Sequence, residues 1–203
     1  VLSVTAEVRN LSTKAQSGWT IGVQAFDEDG NDILGGASIA VDAVASAETE
    51  SFSAEIPVEK PELWSAEKPN LYALVLTLKD GEGNAVEYLS TQLGFREIEF
   101  TRTEVDANYN VTTKFWEPTK INGKRLLLKG ANRHDSDPIY GKAVPQETIF
   151  EDVKLMKQYN LNAIRTSHYS NDEYLYWLCN KYGLYMMGET NMECHAITGN
   201  ESG

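Results

Sequence analysis

The chain holds three histidines, and each stands among other polar groups just beyond a short strand-like run. His134 sits in Asn132-Arg133-His134-Asp135, His168 closes Ala163-Ile164-Arg165-Thr166-Ser167-His168, and His195 follows Glu189, Asn191 and Glu193. Imidazole, guanidinium, amide and carboxylate groups gathered on one rim could carry out a barrel enzyme's chemistry or hold a divalent cation. The cation reading is the weaker, since the spacing matches neither an HExxH helix nor a zinc finger.

The elements that position these residues read as an alternation of strands and helices. The first strand is signalled by Ile121 to Asp135, where an Asn122-Gly123 turn precedes the apolar Leu126-Leu127-Leu128 and Gly130 leads into the polar end. Pro145, Glu147 and Glu151 open a helix whose stripe is Ile149, Val153, Leu155, Met156 and Tyr159, with Asn160 as its stop. A second strand runs over 163–168. Asn171-Asp172-Glu173 then starts a helix with Tyr174, Leu175, Trp177, Leu178 and Tyr182 on one face, ending at Gly183. Leu184 to Gly188 is the third strand. This β-α-β-α-β order has crossovers long enough for parallel pairing, and parallel neighbours in a barrel wall bring their polar C-terminal ends to one rim.

The preceding residues have a different rhythm. Leu2, Val4, Ala6 and Val8 alternate with polar residues, as do Trp19, Ile21, Val23 and Ala25, with Asp27 to Asn31 and Asp80 to Asn84 as turns. Strands at this spacing over 1–100 predict an immunoglobulin-like β-sandwich. Residues 101–120 read as a connection, and 121–203 as the N-terminal part of a (β/α)8 barrel. Pro61 to Tyr72, with two prolines and Trp64, predicts an ordered loop on the sandwich edge. Trp19 and Trp64 could stack on sugars, although packing is the favoured reading for lone tryptophans in strands.

Composition narrows the function classes. A formal charge of -12 argues against a nucleic-acid backbone or an anionic membrane surface as partner. No apolar run approaches the ~20 residues that span a bilayer. Cys179 and Cys194 have no paired or zinc-like spacing and read as free thiols, which points to a reducing, cytoplasmic setting. The chain opens on Val1 within a strand-like alternation, as expected of an internal piece of a longer polypeptide.

The run Asn162 to Ser170, with Leu175-Tyr176, Asn180, Gly183 and Leu184 to Met187, resembles the first signature of glycoside hydrolase family 2. Gly94-Phe95-Arg96, Asn122-Gly123 through Asn132-Arg133-His134, Leu63-Trp64-Ser65 and Pro69-Asn70-Leu71-Tyr72 extend the resemblance along nearly the whole chain. Ser170 departs from it, standing where the family usually has proline. The resemblance implies an immunoglobulin-like domain joined to the first three β/α units of a TIM barrel. It also implies retaining hydrolysis of terminal β-D-galactosides, with β-glucuronides or β-mannosides as alternatives. A non-enzymatic carbohydrate-binding or spacer module is the rival from another class.

By the same resemblance, His195, Asn132, Arg133 and His134 are expected to bind substrate. Arg165, His168, Glu189 and Glu193 are expected to scaffold the site. Arg165 has a competing reading as a simple ion-pair partner of Glu189, and His168 as a satisfied histidine behind the site. The acid/base and nucleophile are expected downstream, so the segment alone is expected to be inactive. Glu201, in Gly199-Asn200-Glu201, imitates the family's Asn-Glu acid motif, but no Trp-bearing strand precedes it and it reads as loop. No metal is expected in this segment; magnesium and sodium are expected only for the whole protein, as is homo-oligomerisation.

Overall fold

The computed structural model describes residues 1–100, 106–108, 110, 112 and 118–191. The chain divides into two compact units, Val1–Glu62 with Asn70–Phe95, and Leu63–Pro69 with Arg96–Gly203.

The first unit contains β1 (Leu2–Arg9), β2 (Trp19–Phe26), β3 (Ala37–Val41), β4 (Thr49–Ile56), β5 (Tyr72–Lys79) and β6 (Ala85–Leu93). β1 pairs with β4, and the others form an antiparallel sheet in the order β3-β2-β5-β6. The period-two pattern does what it should: Val4 and Ile56 from one sheet meet Ile21, Val23, Ile39 and Val41 from the other, with Val44 beside them, in one buried cluster. At about 1.5–3 kcal/mol per buried aliphatic side chain, this cluster is the main stabilising term of the sandwich.

Both predicted turns form, and they share one closure. Asp27 Oδ1 accepts from the Asn31 and Asp29 amides at 2.8 and 3.0 Å, and Asp80 Oδ1 accepts from Asn84 and Glu82 at 2.8 and 2.9 Å. Gly30 and Gly83 supply the left-handed residue, with φ of 83° and 86°. The Asn31 backbone N–H above all holds the Asp27 carboxyl below its usual value, and the Asn84 side-chain amide does so for Asp80.

The second unit begins with a small antiparallel sheet, β7 (Ile98–Glu99), β8 (Lys120–Ile121) and β9 (Lys124–Arg125). Asn122 and Gly123, at φ of 49° and 74°, turn β8 into β9, as a tight primed hairpin requires. The apolar strand expected over Leu126-Leu127-Leu128 does not form. The next strand, β10, is Gly130–Arg133, and Leu127 and Leu128 are exposed. Leu126 and Leu128 line an open cavity, so their apolar character reflects a lining position and not a place in the sheet.

After β10 come α1 (Gln146–Gln158), β11 (Ala163–Thr166), α2 (Glu173–Tyr182) and β12 (Tyr185–Met187). β10, β11 and β12 form a parallel sheet in that order. Asp172 caps α2 by accepting from the Tyr174 N–H at 2.8 Å, and Gly183 ends it at φ 76°. Ile149 and Val153 of α1 pack with Ile164, Leu175, Leu178, Cys179 and Leu184. Leu155 and Tyr159, assigned to the same stripe from sequence, are exposed.

Leu63–Pro69 belongs to this unit, not to the sandwich edge. Trp64 is 2% exposed and donates its indole N–H to the Asn180 carbonyl at the end of α2, 2.8 Å away. Its ring meets Tyr185 edge-on at 5.5 Å. Lys157 donates to the carbonyls of Ala66 and Gly183 at 3.1 and 2.8 Å, tying the segment to the helix ends. A side chain so enclosed offers no face to a sugar. Among the described residues no helix is long and apolar enough to cross a membrane.

Candidate functional site

Each strand of the parallel sheet ends in polar residues, and the ladder decides which of them share a face. Asn132 lies opposite Arg165, and Arg133 opposite Thr166. Asn132 and Arg165 therefore leave one face, and Arg133 leaves the other.

On the first face Arg165 is the centre. Its Nε donates to Glu189 Oε1 at 2.5 Å, and its two other nitrogens reach Asn132 Oδ1 at 3.5 Å and His168 Nδ1 at 3.4 Å. Glu189 Oε2 lies 3.1 Å from His168 Nδ1. The Glu189 backbone N–H donates to Thr166 Oγ1 at 2.9 Å, which fixes where the carboxylate starts. Desolvation works to raise the Glu189 carboxyl, but hydrogen bonds from Arg165 and His168, with their charges, outweigh it and hold the group below its usual value. His134 completes the rim, its ring 5.7 Å from that of His168 in a T-shaped arrangement. The sequence-predicted Asn132, His134, Arg165, His168 and Glu189 are thus brought together. His195, Glu193 and Glu201 lie outside the described residues.

Arg133 departs from that grouping. It is 6% exposed; its Nε donates to Asp152 Oδ2 at 2.9 Å, and one terminal nitrogen donates to Asp135 Oδ1 at 2.6 Å and Asn171 Oδ1 at 2.8 Å. Burial alone pulls its pKa down, and the two aspartates reverse that and raise it. This guanidinium braces β10 against α1 and the loop before α2, and it is buried with its Nε and one terminal nitrogen taken up by those partners. Strand alternation makes the contiguous Asn132-Arg133-His134 a misleading unit.

Sequence reasoning missed Asp152, Asn171 and Tyr169. Asp152 had a signal, because an acid three residues after Ile149 falls on the inward stripe of α1. Tyr169 and Asn171 had only their place between a strand and a helix cap.

An open cavity of ≈ 1030 Å³ adjoins the rim, with Asn132, Arg165, Met186 and Met187 in its lining. Among the described residues no group of three or more His, Cys, Asp or Glu could hold a metal ion. The residues on this rim can fix a neutral polyhydroxylated ring through amide, imidazole and guanidinium contacts.

Two family models together cover most of the chain. The model described as "Glycosyl hydrolases family 2" matches residues 1–96, and "Glycosyl hydrolases family 2, TIM barrel domain" matches residues 114–202. The chain belongs to glycosyl hydrolase family 2. A β-galactosidase of Priestia megaterium is 40% identical over 195 residues, which is 96% of this chain and 17% of that protein. A β-galactosidase of Lactococcus lactis is 42% identical over 151 residues, 74% of this chain and 14% of its own length. The chain thus spans less than a fifth of either relative. Among solved structures, a Bacteroides uniformis β-glucuronidase superposes with TM-score 0.79 at 28% identity, covering 94% of this chain and 21% of that one. A β-galacturonidase from Eisenbergiella tayi bound to galacturonate gives 0.73 at 31%, covering 93% and 30%.

Proposed function

We propose that this chain is the part of a retaining β-galactosidase that carries an immunoglobulin-like domain and the first three β/α units of the catalytic (β/α)8 barrel. Its rim binds the terminal galactose. The observation that supports this most directly is the meeting of Asn132, Arg165, His168 and Glu189 at the C-terminal ends of three parallel strands, where barrel enzymes build their sites. In this reading His195, Asn132 and His134 contact the sugar, Arg165, His168, Glu189 and Glu193 support it, and Arg133 braces the strand from behind.

Retaining hydrolysis needs two carboxyl groups about 5–5.5 Å apart, one of them protonated to serve the leaving oxygen. Glu189 is unsuited to the acid role, because both of its oxygens are engaged by cationic or hydrogen-bonding partners that keep it ionised. In this reading the acid/base and nucleophile belong to other parts of the whole enzyme, and the 203-residue chain alone is inactive. In this reading magnesium and sodium, where the whole enzyme uses them, are held largely outside this segment, and no step here runs through them. The whole enzyme is a cytoplasmic homo-oligomer in this reading.

A uronide is the second reading, because two of the structural neighbours act on or bind acidic sugars by name. The charge of Arg165 is already met by Glu189, which favours a neutral sugar at this rim. Calorimetry of the chain with galactose and with galacturonate tests the choice. Saturable galactose binding that is lost in His195→Ala is expected; preferential galacturonate binding would replace the galactoside reading, and turnover of a chromogenic β-galactoside by this chain would overturn its inactivity.

A further inference from the structure

The loops that carry His134 and His168 leave different strands, and a single phenol joins them. The Tyr169 hydroxyl accepts from the Asp135 N–H at 3.1 Å and from Lys142 Nζ, and donates to the Asp135 carbonyl at 3.4 Å. A hydroxyl has one proton and two acceptor sites, so all of its capacity is used. Its ring lies 6.2 Å from the His134 ring, and Lys142 covers it at 4.1 Å. Behind this contact the buried side chains repeat the link: Asp135 Oδ2 accepts from the Asp172 N–H at 3.2 Å, and Arg133 bridges Asp135 and Asn171.

We propose that Tyr169 is a positioning residue, which holds the His134 loop against the His168 loop and so sets the separation of the two imidazoles on the rim. The proposal rests on the reading of that rim as a sugar site, but its geometry does not depend on which sugar binds. The Arg133 cluster fixes where the loops begin. Tyr169 fixes where their ends meet, because it sits beside the histidines themselves and contacts Asp135, the residue after His134, through the main chain. Lys142 presses the ring into place from the solvent side and leaves the histidines untouched.

The test is proton–carbon NMR of the imidazole signals in the 203-residue chain, with galactose titration and urea unfolding measured on the same samples. Tyr169→Phe keeps the ring and removes the hydroxyl. It is expected to displace the His134 and His168 signals and to weaken galactose binding roughly threefold to tenfold, the worth of one or two lost hydrogen bonds. Lys142→Met, an exposed substitution that spares the fold, is expected to move the same signals less, and Lys142→Arg to restore them. Histidine signals of Tyr169→Phe that coincide with those of the unsubstituted chain overturn the proposal. If Tyr169→Phe does not fold, unmoved signals in Lys142→Met do so. Failure of the unsubstituted chain to bind galactose strikes only the sugar reading, since the imidazole signals still report the clamp.

Discussion

Arg133 on β10 and Arg165 on β11 occupy neighbouring strands, one step out of register, and leave the sheet on opposite faces. Arg133 has a side-chain exposure of 6% and is satisfied by Asp135, Asp152 and Asn171; Arg165 has 35% and is shared among Glu189, His168 and Asn132. Each belongs to a charge-paired cluster, yet the first is closed and the second open. A guanidinium buried among partners resists removal because its loss leaves a carboxylate stranded in low dielectric. One at a wet rim costs little stability when removed, and its exposure leaves it within reach of a ligand. The same residue type thus braces one face of the sheet and furnishes the other.

The sharpest way to break this comparison is to remove the buried member. Arg133→Met strands Asp135, whose side chain is 12% exposed, and should cost about 3–5 kcal/mol, the range seen when one partner of a buried pair is deleted. Urea unfolding of the second unit, followed by tryptophan fluorescence, measures it. A loss below about 1 kcal/mol would mean that water reaches the cluster and that the two arginines do not differ in kind.

The rim arginine should behave in the reverse sense. Arg165→Met is expected to change stability by at most about 1 kcal/mol, as for an exposed pair. It should weaken galactose binding roughly tenfold or more, the usual worth of a hydrogen bond to a charged group. The pH dependence carries its own sign. Glu189 has a folded pKa below its reference value of 4.5, so its pairing stabilises the fold fully above that pH and the contribution fades as pH falls through the lower folded value. Carboxyl carbon NMR should show Glu189 titrating below 4.5 in the parent and closer to it in Arg165→Met. A Glu189 midpoint that the substitution leaves in place would assign the shift to something other than the pair.

How much of this was legible in the sequence follows from the range of each interaction. The Asn122-Gly123 turn, the Asp27 and Asp80 hairpins and the Asp172 and Gly183 caps are local devices, and residue type alone announces them. The rim was legible too, since parallel strands must end together and Asn132, Arg165, His168 and Glu189 stand at those ends. Leu126 to Leu128 misled because an apolar run can line an open cavity, as Leu126 and Leu128 do, as readily as it forms a strand. Trp64 was assigned to the wrong unit because its partners, Asn180 and Tyr185, lie more than a hundred residues away and leave no trace in local pattern. Arg133 was grouped with its sequence neighbours although a strand sends alternate side chains apart, so period two should have separated it.

The two asparagines that serve the arginines, of which Asn132 carries the smallest effect, sharpen the contrast without disturbing either ion pair. Asn171 is 8% exposed and accepts from Arg133 at 2.8 Å; Asn132 is exposed and lies 3.5 Å from Arg165. Asn171→Ala leaves a buried guanidinium proton unmatched and should cost about 1–3 kcal/mol. Asn132→Ala breaks a contact at the limit of hydrogen-bond distance where water can replace it, so its effect on stability should stay within about 0.5 kcal/mol. Its effect should appear in galactose titration as a weakening of a few fold, which Asn171→Ala reproduces only as far as it loosens the strand. Equal stability losses in the two variants would show that the open and closed faces of the sheet are energetically alike, and that the rim owes its polar residues to folding and not to a ligand.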